Sequence, residues 1–305
     1  MKIILSRKGF DSASGGVPSP ILEDGTMISL PIPYAKGESY RNIRTGLPEF
    51  DHMGRLVEEL SKNGTAASKA HLDPDLNPAS ISRAPDWRGT FGQSSSQQSY
   101  LDKNHVETGD LFLFFGLYRR VERTGQGKLQ FVKGEPRKHV IFGWLNVDRR
   151  HDLPNKSDHK VSLAELPAWA KYHPHVEHYG IESKPNVLYT AKPKLDRDSD
   201  IPGWGVFRKY KDELCLSHPN PPKDERGKPR DLPSLWRLPA WMYPWADPDR
   251  EREPLGYHGK KSRWTQFDKS HVTLQSVGRG QEFVLKADQY PEAVAWAVNL
   301  IKTCR

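Results

Sequence analysis

The segment GDLFLFFGLYRRV, residues 109–121, constrains the fold more than any other stretch of this chain. It follows a Gly-Asp turn signal, is apolar and aromatic through Leu111–Phe115, and is too short and too bulky to suit a surface helix. Such a run reads as a strand covered on both faces. HVIFGWLNV (139–147) repeats the pattern, and the polar, glycine-containing residues 122–138 join the two. The pair predicts a β-hairpin within a half-open barrel or sheet.

Further strands are expected at residues 2–6, 27–33 (MISLPIP), 186–191 (NVLYTA) and 281–285 (QEFVL). FDHMGRLVEELSKNG (50–64) places Met53, Leu56, Val57 and Leu60 on one helical face and ends at Gly64. The C-terminal segment YPEAVAWAVNLIKTC carries Val294, Val298 and Ile301 at helical spacing, with Pro291 near its start. GTFGQSSSQQSY (89–100) is polar and low in complexity and reads as a loop. Residues 217–233, with five prolines and many charges, read as an exposed Pro-rich loop. No internal repeat is visible. The expectation is one α+β domain over residues 1–305, with a mainly antiparallel or mixed sheet, a barrel-like hairpin region, flanking helices and long Pro-rich loops.

The formal net charge of +8 favours anionic partners, nucleic acid or nucleotide first. No apolar run approaches the roughly 20 residues that span a bilayer, so no membrane association is expected. The N-terminus lacks the basic–apolar–small order of a signal peptide. The two cysteines do not make a disulfide framework. These features read as a cytoplasmic protein. There is no GxxxxGK[ST], GxSxG or HExxH motif, and GRGQEF (278–283) leads into a strand rather than a helix. HVEH (175–178) holds an H-x-E, but no PCxxC follows it.

Four constellations can carry chemistry. The loop after the first strand, SRKGFDSASGG, places Arg7, Lys8, Asp11, Ser12, Ser14, Gly15 and Gly16 close together. Glycine-rich backbone can form an anion nest, Arg7 can grip a phosphate with two hydrogen bonds, and Asp11 can orient a hydroxyl or act as a base. AHLDPDL sets His71, Asp73 and Asp75 on alternate positions, hence on one face of an extended segment. YHPHVEHYG offers His173, His175, Glu177 and His178. The His and Asp clusters suit acid–base catalysis, substrate contact or a divalent metal, and metal is the less favoured use. Finally, WGVFRKYK (204–211) and GYHGKKSRWTQF (256–267) interleave Arg208, Lys209, Lys260, Lys261 and Arg263 with Tyr257, Trp264 and Phe267. WRLPAWMYPWADP (236–248) adds Trp236, Trp241 and Trp245 between prolines. Basic groups contact phosphates while rings stack on bases. For each cluster the plain alternative is a capped turn, a satisfied core group or a solvated face.

SRKGFDSASGGVPSPIL, HLDPDL, GDLFLFFG, HVIFGWL, HPHV, NVLYTA and GRGQEFV occur in this order. Together they resemble the nucleotide-modification-associated domain family of the third type, over nearly the whole chain. The resemblance implies a bacterial or phage setting near genes that modify DNA bases, with other base-modification enzymes as neighbours. It also implies Arg7, Asp11, Gly15, Gly16, His71, Asp73, Asp110, His139, His173, His175 and Gln281 as polar anchors.

Three functions follow as expectations. The first is an enzyme that modifies a base in DNA or a nucleotide precursor. In it Asp11, His71 or Asp73 would handle protons, and Arg7, Lys8, Ser12, Ser14, Gly15, Gly16, His173, His175 and Gln281 would bind substrate. Lys260, Lys261, Arg263, Trp264, Arg208 and Lys209 would hold the nucleic acid. The second is a non-catalytic module that recognises a modified or flipped base. The third is a small-molecule metalloenzyme using the His and Asp clusters.

Overall fold

A computed structural model describes residues 1–154, 163–179, 185–197, 199–266, 268–278 and 280–305. The strands are β1 (Lys2–Arg7), β2 (Ser19–Ile21), β3 (Pro33–Ser39), β4 (Arg44–Leu47), β5 (Phe50–His52), β6 (Lys69–Ala70), β7 (Thr90–Ser94) and β8 (Leu111–Arg123). They continue with β9 (Leu129–Phe131), β10 (Lys138–Asp152), β11 (Asn186–Ala191), β12 (Trp204–Val206), β13 (Leu235–Pro239), β14 (Trp264–Gln266), β15 (His271–Gln275) and β16 (Glu282–Lys286). Three α-helices accompany them among the described residues: α1 (Met53–Leu60), α2 (Ser95–Lys103) and α3 (Glu292–Cys304).

The fold is α+β around a mixed sheet ordered β16–β1–β8–β10–β11–β7, with β2 and β9 paired to β8 and β12 to β10. The expected hairpin is its spine: β8 and β10 pair antiparallel, with a register shift between Ile141 and Gly143. β8 is long enough to serve several partners. Its first half runs parallel to β1, and its second half runs beside β2 and β9. The apolar residues Leu111–Phe115 are buried because neighbours cover both faces.

The sheet curls so that its two ends approach. Phe91 of β7 packs against Phe112 and Phe114 of β8, with ring centroids 5.0 Å from each, although β11 and β10 lie between those strands in the sheet. Tyr189 of β11 stacks on Phe91 in the same interior. The ends do not pair as strands, so no closed barrel forms. Instead Gln93 of β7 donates to the carboxylate of Glu282 in β16, with Nε2 2.5 Å from Oε1.

On the other face, Trp236 of the three-stranded sheet β13–β15–β14 packs on Phe115 and Phe283. A second apolar cluster gathers Phe10, Tyr40, Ile43, Phe50 and the buried face of α1. α1 begins at Met53 because Phe50–His52 is drawn into pairing with β4. α3 buries Ala293, Ala297, Leu300 and Ile301; of the expected face Ile301 is buried, while Val294 and Val298 pack half-buried against the core because the helix is turned toward its alanine side.

Two local expectations are corrected. Residues 28–32 are not a strand; only Met27 bridges to Ile21, and the strand that follows is β3. Residues 89–100, expected as loop, instead hold β7 and most of α2, which runs on to Lys103. Pairing with β11 and burial of Phe91 and Gln98 outweigh the weak local propensity of the serine-rich sequence. The Pro-rich segment 217–233 forms no helix or strand, and its residues from Pro219 to Asp231 are largely exposed.

Candidate functional site

The outer edge of β7 is where the site is built. Thr90 exchanges both backbone hydrogen bonds with Asp75, at 2.9 Å each, so the HLDPD segment lies along that edge. Two residues on, the N–H of Gly92 donates not to another strand but to Oδ1 of Asp73, at 2.8 Å. Asp73 is thereby fixed by the sheet's own backbone.

Three histidines surround this carboxylate. Nε2 of His173 lies 3.2 Å from Oδ1 and Nε2 of His175 lies 3.7 Å from Oδ2. The rings of His71 and His175 meet edge-on with centroids 5.2 Å apart. All four residues are buried. His173 and His175 do not sit on a strand, as H-x-H spacing suggests, but at a bend entering a π-helical turn, His175–Tyr179. The side chain of His178 lies outside the described residues.

Hydrogen bonds fix two of the tautomers. Asn186 Nδ2 donates to the carbonyl of His175, which turns Asn186 Oδ1 toward the ring, where Nδ1–H of His175 donates to it at 2.8 Å. Nε2 of His175 is therefore the lone-pair nitrogen, and it faces Asp73. In His173, Nδ1 accepts the backbone N–H of His175 at 3.3 Å, which leaves the proton on Nε2, toward Asp73.

Burial drives His71 down to about 3 against the pull of Asp73, and His175, His173 and Lys8 lower it further. Burial likewise takes His175 to about 4. Both rings are neutral at pH 7. Burial pushes Asp73 upward, but the hydrogen bond from His173 and the three imidazoles outweigh it, so it stays ionised well below the usual carboxylate range. Asp75, the third member of HLDPD, is instead held by Arg83, and burial raises it. His71, Asp73 and His175 each offer a ligand atom within 4.8 Å of the other two, the only such group among the described residues that could hold a metal.

His173 and Asp75 line a cleft of about 1030 Å³. Lys36, Arg41, Arg44 and Lys69 line it too, and none of the four is in an ion pair among the described residues. Trp87, Trp169 and Tyr172 add aromatic surface, and the Tyr172 side chain is 77% exposed. A cavity of about 70 Å³ lies on the side of Asp73 toward Gly9, Ser29 and Tyr118.

The loop after β1 divides. Lys8 reaches Glu282 at 2.9 Å and lies 4.7 Å from the centre of the Phe91 ring. Nη2 of Arg7 donates to the carbonyls of Gly278 and Gly280, which ties β1 to the loop before β16. Asp11 closes its own turn, its Oδ1 accepting the N–H groups of Ala13 and Ser14 at 2.8 and 2.7 Å. Gly15 takes φ +86° and packs against the Phe10 ring so closely that a Cβ would lie 2.5 Å from it. Ser12 and Gly16 are exposed, Ser14 and Gly15 half-buried. The Gln281 side chain is exposed, and its carbonyl accepts the Arg7 N–H. The hydrogen bonds of Asp11 stay within its own turn, and that of the Gln281 carbonyl ends on Arg7.

Of the basic stretches, 204–211 reaches the small cavity beside Asp73, which Val206, Phe207 and Arg208 help to line. Lys209 is paired with Asp24, Arg208 reaches Asn77, and Lys260 and Lys261 are exposed. Arg263 donates to the carbonyl of Gln275, and Trp264 is buried with its Nε1 donating to the carbonyl of His258. Phe267 lies outside the described residues.

Several positions escaped the sequence reading: Gly92, Gln93, Asn186, Glu282 and the cleft residues Lys36, Arg41, Arg44, Lys69, Trp87, Trp169 and Tyr172. Asn186 had a local signal, a polar residue opening an otherwise apolar strand. The cationic run KGESYRNIR was another.

No curated protein and no solved structure matches the chain significantly. No described helix is long and apolar enough to cross a membrane. The family model described as nucleotide modification associated domain 3 matches residues 2–286 of the 305, and the chain belongs to that family.

Proposed function

We propose that this protein is an enzyme that modifies a base in nucleic acid or in a nucleotide, with its chemistry at His71, Asp73, His173 and His175. The observation that carries the reading is the meeting of this buried group with the aromatic-walled cleft at His173, where Lys36, Arg41, Arg44 and Lys69 stand beside Glu38, Asp51 and Glu177. Family membership supports a nucleotide-like substrate.

The roles follow from the geometry. Arg41, Arg44, Lys36 and Lys69 hold phosphates, and Arg does so through two parallel hydrogen bonds. Trp169 and Tyr172 stack on a base that has been taken out of its strand, and Trp87, covered by the Arg83 guanidinium, backs the wall behind them. His173 brings the buried group to the cleft wall, and with Nδ1 accepting the His175 N–H and Nε2 facing Asp73 it positions that carboxylate rather than meeting substrate itself. Asp73 orients that ring, as a carboxylate does in any oriented His–Asp pair. Lys260 and Lys261 supply a second, more distant contact for a strand. Asp11 closes the loop after β1 and takes no part in proton transfer.

The test is mass spectrometry of nucleosides from cells carrying the wild-type gene, Asp73→Asn or His173→Gln. A modified nucleoside present with wild type and lost with both variants supports the enzyme. A variant that leaves the nucleoside level normal removes that residue from the chemistry. A second reading, a module that recognises a modified base, is supported by the aromatic walls of the cleft. It predicts that Asp73→Asn alters no nucleoside while Trp169→Ala and Tyr172→Ala weaken binding to modified DNA.

A further inference from the structure

We propose that His71, Asp73 and His175 form a binding centre for one divalent first-row transition-metal ion.

The first argument is the direction of the lone pairs. Asn186 holds the Nδ1 proton of His175, so the opposite nitrogen presents a lone pair to Oδ2 of Asp73, 3.7 Å away. Two acceptors facing each other in a buried site repel unless something positive lies between them. A proton would sit poorly there, because 3.7 Å is beyond hydrogen-bond length. A metal ion fits, since both atoms are then ligands to it.

The second is size. The three ligand atoms lie within 4.8 Å of one another, so one point lies within about 2.8 Å of all three. Bonds of about 2.1 Å to imidazole and carboxylate then need shifts of under about 1 Å in each side chain.

The third is charge. Asp73 is buried, and the cations of this region are committed elsewhere, Lys8 to Glu282 and Arg83 to Asp75. One peptide N–H and one imidazole N–H do not balance a buried carboxylate; a dication does.

The fourth is the supporting shell. Asn186 orients His175, and the Gly92 N–H together with His173 holds Oδ1 of Asp73, leaving Oδ2 for the ion. Ligating imidazoles and carboxylates in metal sites are held in this way. Two imidazoles and one carboxylate select Fe(II), Mn(II), Co(II) or Zn(II) over Mg(II) or Ca(II), which prefer all-oxygen cages. Three ligands leave coordination positions open. The centre goes beyond the function proposed above, because metal binding requires no nucleotide.

The experiment uses the full chain, stripped with chelator and titrated with Co(II) and Zn(II), bound metal being measured by equilibrium dialysis and elemental analysis. One ion per chain is expected, undisturbed by millimolar Mg(II). His71→Gln and Asp73→Asn each weaken binding by at least about 100-fold, and Asn186→Ala by about 10- to 100-fold, the range for a supporting residue. Substoichiometric binding, or full affinity in folded His71→Gln and Asp73→Asn, overturns the proposal. Should those variants fail to fold, X-ray absorption of the Zn(II)-loaded wild type decides it. A first shell with two imidazoles supports the centre, and a shell with none overturns it.

Discussion

Gln93 and Glu282 stand 189 positions apart in the chain, yet Nε2 of the first lies 2.5 Å from Oε1 of the second, joining the last strand of the curled sheet to the first. Lys8, just past the end of β1, completes the contact, 2.9 Å from the same oxygen. Glu282 is 1% exposed, and its other oxygen has no hydrogen-bond partner among the described residues. Gln93→Ala removes one of its two supports and is expected to destabilise the fold by about 1–3 kcal/mol, the cost of stranding a buried polar group. Urea unfolding measures it. Stability within error of wild type would mean that the sheet ends are held by other contacts.

Gly92 is confined by volume. A Cβ there would lie 2.3 Å from the His175 ring, whose neighbour Asn186 gives it little room to turn. Gly92→Ala should destabilise by about 1–3 kcal/mol, as overpacking does. It should also depress the modified-nucleoside level more than that loss of stability explains. A variant with displaced stability but full modification would show that the ring adapts without consequence.

Asp11→Asn tests the division of labour in the loop after β1. The oxygen that accepts the Ala13 and Ser14 N–H groups can be an amide oxygen as well as a carboxylate one. Stability should stay within about 0.5 kcal/mol of wild type, as for a neutral surface change, and modification should continue. Loss of modification at normal stability would return Asp11 to the chemistry.

The cleft predicts a graded salt response. Arg41→Ala combined with Arg44→Ala removes two phosphate contacts and should lower the slope of log affinity against log salt by about 1.4 for single-stranded DNA, at about 0.7 per contact. Fluorescence anisotropy across a salt series reads it. An unchanged slope, with flattening by Lys260→Ala and Lys261→Ala instead, would move the binding face to residues 256–267.

Acid should unfold the protein through neutral buried histidines outside the site. Burial takes His139 down to about 3 and His258 to about 4. Below an unfolded value of about 6.5, the unfolded chain binds protons that the folded one does not, so stability falls as pH drops. Each such group contributes up to about 1.4 kcal/mol per pH unit over that window, and the effect is absent above it. His139→Gln keeps an acceptor for the Trp236 Nε1–H, which lies 2.9 Å from Nδ1. It should reduce the slope of unfolding free energy between pH 4 and 6 by about one proton's share. An unaltered slope would assign the acid sensitivity to other groups.

What the sequence disclosed follows the reach of each interaction. β8, β10, β11, α1 and α3 bury apolar residues at their own period, so local pattern suffices for them. The histidine and aspartate clusters were visible because each is compact in sequence. β7 was not: in TFGQS only Phe91 advertises a strand, and the rest answer to distant partners, Gly92 to Asp73 and His175, Gln93 to Glu282. Gln98 of α2 is buried, and its partner is the Tyr189 hydroxyl. The cleft cations, spread from Lys36 to Arg83, are neighbours only after β3–β6 and the segment around Trp87 have folded together.

The incomplete closure of the sheet has a mechanical consequence. The group that steadies Asp73 is a peptide N–H, which no substitution at position 92 short of proline can delete. Its position is inherited from β7, and β7 is placed by Phe91 stacked among Phe112, Phe114 and Tyr189. Those rings touch no substrate, yet they act as the gauge that sets the distance from carboxylate to imidazole. Changing their volume should retune the site from inside, as shimming a bearing shifts the shaft it carries.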